Sequence, residues 1–315
     1  MSMPATAQND NSYSFLDVPS SARPAALGGV NISHRDRDIN FMFLNPSLMG
    51  DTLAGVASAN YQFYLADIGN SSFAYAHRFK KMGVLGIGVQ HIGYGTITSY
   101  DESGNEIGDF NAASTALLVT KTHTAGNFRM GASLKFAFSN LAGFRSSAGL
   151  IDLGGVFIHP KKQLTVGIAV RNLGVIFKEF TKTSNTELPF DVQAGFTIKP
   201  EHMPFRFSLT AYDLTRHDNV SALGVESSSL GKVFRHLNFG GEILLHRNFN
   251  ILLGYNYRVH QDLKLEEGGG AAGISIGLMA RIKSFELVMS RSTYVVGNAG
   301  YGFTLSANVE KMLTR

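Results

Sequence analysis

From Asp51 onward, apolar and polar residues alternate with period two, and this alternation constrains the fold more than any other feature of the chain. In Ile274–Ile282, one face carries Ile274, Ile276, Leu278, Ala280 and Ile282, and the other carries Ser275, Gly277, Met279 and Arg281. Ile251–Val259 sets Ile251, Leu253, Tyr255, Tyr257 and Val259 against Leu252, Gly254, Asn256 and Arg258. Tyr301–Val309, Met130–Phe138, Leu164–Arg171, Phe190–Ile198 and Phe205–Tyr212 read the same way. An amphipathic helix needs apolar residues three and four apart, which these segments lack. Nor does any run supply the roughly 18–20 consecutive apolar residues of a spanning helix.

Continued along the chain, the pattern predicts fourteen strands, centred near residues 58, 75, 87, 117, 134, 154, 168, 194, 208, 241, 255, 278, 288 and 305. Proline, which cannot donate to a ladder, tests that division independently. Pro4, Pro19, Pro24 and Pro46 precede the first strand, and Pro160, Pro189, Pro200 and Pro204 fall in connections. All of them respect it.

The connections then separate a membrane barrel from a soluble sandwich, whose strands also alternate. Short turns at Phe79–Met82, His159–Gln163, Lys199–Pro204, His246–Asn250 and Ile282–Ser284 are interleaved with long polar links. The links are Gly93–Ala112, Asn140–Gly149, Asn172–Pro189, Asp213–Arg235, His260–Gly273 and Ser292–Gly300. Outer-membrane barrels have this asymmetry, with short periplasmic turns and longer outer loops. The polar face includes Arg78, Lys135, Asp152, Arg171, Asp191, Arg206, Glu242, Arg258, Arg281 and Glu286, which in a barrel line the lumen. The fold expected for 51–315 is therefore a closed antiparallel transmembrane β-barrel of about fourteen strands, in the outer membrane of a bacterium.

The first fifty residues differ. Ala5-Thr6-Ala7 has the form of a signal-peptidase site, so 1–7 are read as the remnant of a signal peptide. The segment 8–50 holds a Ser20–Leu27 stretch suited to one helical turn, with Pro24 near its start, and the apolar Phe41-Met42-Phe43-Leu44. Two apolar clusters in so short a segment argue for docking, and the lumen is the natural place for such a plug.

Chemistry is sparse. The absence of cysteine removes thiol nucleophiles, thiolate metal sites and disulfides. Ten histidines are scattered without metal-ligand spacing; His77, His159, His246 and His260 fall near strand ends, as interfacial rings do. Gly83–Gly88 lies in a strand and is not a phosphate loop, and Gly268-Gly269-Gly270 reads as flexible loop. Asp101, Glu102, Glu106 and Asp109 cluster in one link without an EF-hand pattern and are taken as a partner-facing tip. No catalytic group, cofactor site or nucleic-acid surface is expected.

Several motifs carry a family resemblance. Ser14-Phe15-Leu16, Pro19-Ser20-Ser21-Ala22-Arg23, Ala26-Leu27-Gly28-Gly29, Asn45-Pro46-Ser47-Leu48, Arg171-Asn172-Leu173-Gly174 and Met203-Pro204-Phe205-Arg206-Phe207-Ser208 together resemble the PorQ family of the type IX secretion system. Asn45-Pro46 and Arg171–Gly174 are shared more loosely with PorV and with FadL-like transporters. The resemblance covers nearly the whole chain and marks Arg23, Gly28, Gly29, Asn45, Pro46, Arg171, Asn172 and Gly174 as family positions. It implies a non-enzymatic scaffold that holds PorZ at the cell surface beside PorV and the sortase PorU, where cargo is joined to lipopolysaccharide. The Asp213–Arg235 link is shorter than in relatives, which puts any contact made there in doubt. The competing expectation is a FadL-like transporter of hydrophobic small molecules; the mixed charge of the luminal face weighs against it.

Overall fold

The alternating stretches become strands in the computed structural model, which describes residues 13–64, 67–101, 103–215, 229–263, 270–295 and 298–313. Residues 1–7, Glu102, Gly268, Gly269 and much of the Asp213–Arg235 link lie outside these. The first seven strands are β1 Val56–Phe63, β2 Gly69–Phe79, β3 Gly83–Tyr100, β4 Glu106–Ala125, β5 Phe128–Leu141, β6 Phe144–Ile158 and β7 Gln163–Lys178. The second seven are β8 Asp191–Lys199, β9 Phe205–Ala211, β10 Leu237–His246, β11 Phe249–Asn256, β12 Ile274–Ile282, β13 Phe285–Val295 and β14 Asn298–Asn308. Each pairs antiparallel with its neighbours in sequence, and β1 pairs with β14 from Val56↔Asn308 to Phe63↔Tyr301, which closes the barrel.

Closure leaves no unpaired edge, as a bilayer requires. The period-two faces then sort by solvent. Ile274, Ile276 and Leu278 are 44–48% exposed on the outside, whereas Met279 between them and the lumen is 1% exposed. Phe73, Ile87, Leu117, Leu134, Phe136, Ile168, Phe196 and Leu253 continue the apolar exterior. At the inner end, Phe79, Phe128, Phe205 and Phe285 mark the interface. His159 and His246 do more than sit there: each Nδ1 accepts backbone N–H groups of its own short turn, from Lys161 and Lys162 and from Asn248.

Several links expected to be loops are strand instead. β3 and β4 run for 18 and 20 residues, against the roughly 9–11 that cross a bilayer, so Gly93–Ala112 is mostly a hairpin turning at 101–105. Asn140–Gly149 shrinks to a turn at 142–143, and β7 continues through Lys178. The β3–β7 side of the wall thus stands taller than β8–β14. Beyond the bilayer both faces meet water, so Thr96, Thr98 and Asn111 carry no alternation that could reveal a strand. A second correction concerns Tyr257, Arg258 and Val259, assigned to a strand; they begin the short helix Tyr257–Leu263.

The described part of the segment before β1, from Tyr13 on, lies inside the barrel. It consists of 3-10 turns at Ser14–Asp17, Ile39–Phe43, Pro46–Leu48 and Asp51–Leu53 and one helix, α1, at Ala22–Ala26, with Pro24 in its opening turn. Three apolar clusters join it to the wall. Ala22, Ala26 and Leu27 meet Leu252, Met279 and Val288; Ile39, Met42 and Met49 meet Ala74, Ala76 and Val84; Phe15 and Leu16 meet Ala116, Ala137 and Leu150.

Candidate functional site

Backbone approaches backbone where the segment rests on small wall residues. A Cβ on Gly254 would lie 2.5 Å from the Leu27 carbonyl carbon, and one on Gly131 would lie 2.5 Å from that of Pro46. Gly28 and Gly29 have φ of 90° and 97°, ending α1 with Gly29 N–H donating to Pro24 O at 2.9 Å. Asn45 caps the following 3-10 turn: its Oδ1 accepts from Ser47 N and Oγ, and its Nδ2 donates to Ile32 O at 2.7 Å. Gly174 lies farther along β7, where a Cβ would press within 2.8 Å of Leu150 Cα.

Charge fixes the segment more specifically. Arg23, 0% exposed, donates from Nε and Nη2 to Glu242 Oε1 at 3.0 and 2.8 Å and from Nη2 to Asp36 Oδ2 at 2.7 Å. Arg206 Nη1 donates to Glu242 Oε2 at 2.6 Å, and Arg281 pairs with Glu286. The node contains Arg23, Arg206 and Arg281 against Asp36, Glu242 and Glu286, and is balanced in charge. His34, Asp36 and Glu242 could offer three ligand atoms within 4.8 Å of one another. Both carboxylates, however, already accept from guanidinium groups, so the trio reads as an ion-pair node and not as a metal centre. Burial pushes the His34 imidazole down to about 3, with Arg23 and Arg206 adding to the effect against Glu242. Burial also opposes ionisation of Asp36, yet the Arg23 guanidinium holds its carboxyl well below the usual range. Burial raises the Asp38 carboxyl to about 6, only partly offset by Arg23 and by the hydrogen bonds from Asn40.

A second node sits on the tall side of the wall. Lys135 Nζ lies 2.5 Å from Asp152 Oδ2 and donates to Asn172 Oδ1 at 3.0 Å. Asp152 Oδ1 accepts the Asn172 N–H at 2.8 Å. Asn172 has φ of 58°, and the β6–β7 register slips between Ile151 and Leu153, so Arg171 and Asn172 both point inward at a bulge. Arg171 Nη2 donates to Leu16 O at 2.8 Å, tying the bulge to the luminal segment.

Beside this bulge, at the end of the barrel carrying the longer links, lies a cavity of about 340 Å³. Phe190, Pro189, Val30, Tyr212, Val259 and Tyr294 supply much of its lining. Arg171 and Gln193 also line it, 2% and 1% exposed, and Arg171 Nε and Gln193 Oε1 have no hydrogen-bond partner among the described residues. Gln193 Nε2 is held by Asp191 Oδ2, so its carbonyl is aimed rather than free to rotate. One buried donor and two buried acceptors, the second being Asp191 Oδ1, in a hollow lined by both apolar and charged side chains suit a small molecule with both functions.

Sequence reasoning gathered some of these residues and missed others. Arg23, Asn45, Arg171 and Asn172 stand where segment and wall meet. Of the acidic cluster, Glu102 lies outside the described residues and the other three stand on the tall hairpin. Asp101 staples the hairpin turn, its Oδ1 accepting from Ser103 N and Asn105 N at 2.9 and 2.8 Å, while Glu106 and Asp109 belong to β4. Gln193 and Tyr212 were not singled out, because a neutral residue on an alternating strand carries no local sign of an unpaired carbonyl.

No known family model and no curated protein matches the chain. Solved structures do. The P. putida toluene transporter TodX superimposes with a TM-score of 0.55 at 11% identity, covering 93% of this chain and 99% of that one. The deltaS2 mutant of the TodX monoaromatic hydrocarbon channel gives 0.50 at 13% identity, covering 92% and 98%. A Pseudomonas aeruginosa FadL homologue gives 0.49 at 9% identity, covering 92% and 98%. At such identities the likeness is one of fold. Together with the apolar exterior and the closed ladder, the TodX likeness makes this protein an outer-membrane β-barrel.

Proposed function

We propose that the barrel binds and passes a small, mainly apolar molecule carrying one hydrogen-bond donor and one acceptor, in the manner of a TodX-like transporter. The cavity of about 340 Å³ carries this reading, because it combines apolar side chains with three orphaned polar atoms, Arg171 Nε, Gln193 Oε1 and Asp191 Oδ1. TodX is described as a toluene transporter and a monoaromatic hydrocarbon channel, and its fold supports the same class here. Saturation-transfer NMR on the protein in nanodiscs, with toluene, phenol and benzamide as ligands, tests it. Phenol and benzamide should bind saturably and compete. Gln193→Leu should weaken benzamide about fivefold, the equivalent of one hydrogen bond of about 1 kcal/mol. The reading fails if none of the three binds, or if Gln193→Leu leaves all three unchanged.

A second reading follows the PorQ resemblance: a non-enzymatic scaffold of type IX secretion that holds PorZ near PorU and PorV where cargo meets lipopolysaccharide. One observation favours it. The quoted family positions Arg23, Asn45, Arg171 and Asn172 are buried in contacts between luminal segment and wall, as suits a permanent plug. On this reading 8–50 is that plug, and the tall β3–β4 hairpin, with Asp101, Glu106 and Asp109, is a docking surface. Replacing residues 96–111 by a short turn should then release the surface partner while the barrel still shows heat-modifiable migration. Full retention of the partner would remove the hairpin from this role.

A further inference from the structure

The inner end of the barrel, where β12 turns into β13 and the last strand ends, opens into a recess of about 610 Å³ beneath the luminal segment. Its charges are one-sided. Arg35, Arg37, Arg129, Arg281, Lys283 and Lys311 line it, against only Asp36 and Glu286. Those two acids are already committed, Asp36 to Arg23 and Arg206, and Glu286 to Arg281 and Arg23. Setting Arg281 against Glu286 leaves five cations with no carboxylate within salt-bridge distance among the described residues.

Arg129 shows that this is more than a wet basic rim. It is 8% exposed and packed so tightly on Gly50 that a Cβ there would lie 2.6 Å from Nη1. Its Nε donates to Thr124 Oγ1 at 3.2 Å, and its Nη groups find no acceptor among the described residues. A guanidinium held in place by its stem, with its outer fork unpaired and turned to a concave surface, is preorganised for an oxyanion. Like charges gathered around a low-dielectric hollow focus a positive potential into it. A lone carboxylate would neutralise one of five cations, whereas a phosphoryl group brings up to two charges and three acceptor oxygens.

We infer that this recess is a binding site for a phosphate-bearing anion on the inner side of the membrane. It is separate from the outer cavity and does not depend on what that cavity holds. Lipid headgroups and soluble phosphate esters share the required chemistry.

Isothermal titration of the full chain in neutral-lipid nanodiscs with sodium pyrophosphate tests the site. Binding should be saturable and should weaken as salt rises. Arg129→Gln should weaken it about tenfold or more, the scale of a charge-assisted contact. Arg35→Gln combined with Arg37→Gln changes two exposed side chains and provides a second variant should Arg129→Gln fail to assemble. Lys80→Gln with Lys81→Gln, on the exposed turn after β2, should leave the affinity unchanged. Repeating the titration with phosphatidylglycerol in the nanodiscs identifies the source: loss of pyrophosphate binding means a lipid headgroup occupies the site, and unchanged binding means a soluble phosphate does. The absence of saturable binding in neutral nanodiscs overturns the inference, as does equal weakening by the Lys80 and Lys81 changes.

Discussion

Arg23 of the luminal helix and Glu242 of β10, separated by 219 positions in the chain, meet through two hydrogen bonds from one buried guanidinium to a single carboxylate oxygen. Removing either partner leaves the other charge stranded in a place water does not reach. Arg23→Met should therefore cost about 3–5 kcal/mol, and should cost much less in a Glu242→Gln background. Urea unfolding followed by heat-modifiable migration gives both numbers. Equal costs in the two backgrounds would show that the pair is not coupled.

His34 and Asp38 give stability opposite slopes with pH. The His34 imidazole is lowered to about 3, so its contribution is complete above its ordinary value near 6.5 and is lost as pH falls toward 3. The Asp38 carboxyl is raised to about 6, so its contribution is complete below about 4 and is lost as pH rises through 6. Between about 4 and 6 the two oppose each other. Asp38→Asn should remove the second, and its urea midpoint should climb from pH 4 to 6.5. Wild type should be flatter over the same interval, and a flatter Asp38→Asn profile would contradict this assignment.

The contact between Gly254 and the end of α1 predicts a sharp size limit. Gly254→Ala should cost about 1–3 kcal/mol, since the Leu27 carbonyl carbon must move. Gly241→Ala, on the neighbouring strand with nothing within 4 Å of its Cβ, should be nearly neutral. Planar-bilayer recording adds a second readout. Wild type should conduct poorly, and Gly254→Ala should show more frequent openings if the segment is the obstruction.

Spin labels test the faces of β12. Labels at Ile276 and Leu278 should report oxygen-rich lipid, and one at Met279 should report a protein-packed interior, given exposures of 44%, 45% and 1%. Similar oxygen accessibility at all three would mean that the register is wrong.

What could be read from the sequence was whatever the bilayer enforces. Ile274, Ile276 and Leu278 must face lipid while Ser275 and Met279 do not, so the strands and their inward faces could be read locally. Above the membrane this pressure stops. Thr96–Tyr100 and Glu106–Asn111 have water on both faces, and their strand pairing looks like loop composition. The partners of Arg23 were hidden for another reason. The sequence places Glu242 and Arg206 on the polar face, but only closure of the barrel brings them to α1. The cavity was least legible, because an orphaned Gln193 carbonyl is a property of its surroundings.

Pairing of β1 with β14 gives the wall a single seam, and that seam joins the first strand of the ladder to its last. Residues 13–53 lie inside, gripped by side chains from almost every part of the circumference. Pulling them through a finished ring would mean unfolding the 3-10 turns and stripping Arg23 of its partners. Curling the sheet around a segment already collapsed on its inner face requires neither. The topology thus sets an expectation for assembly: an interior furnished first, and a meeting of Val56 with Asn308 that locks it.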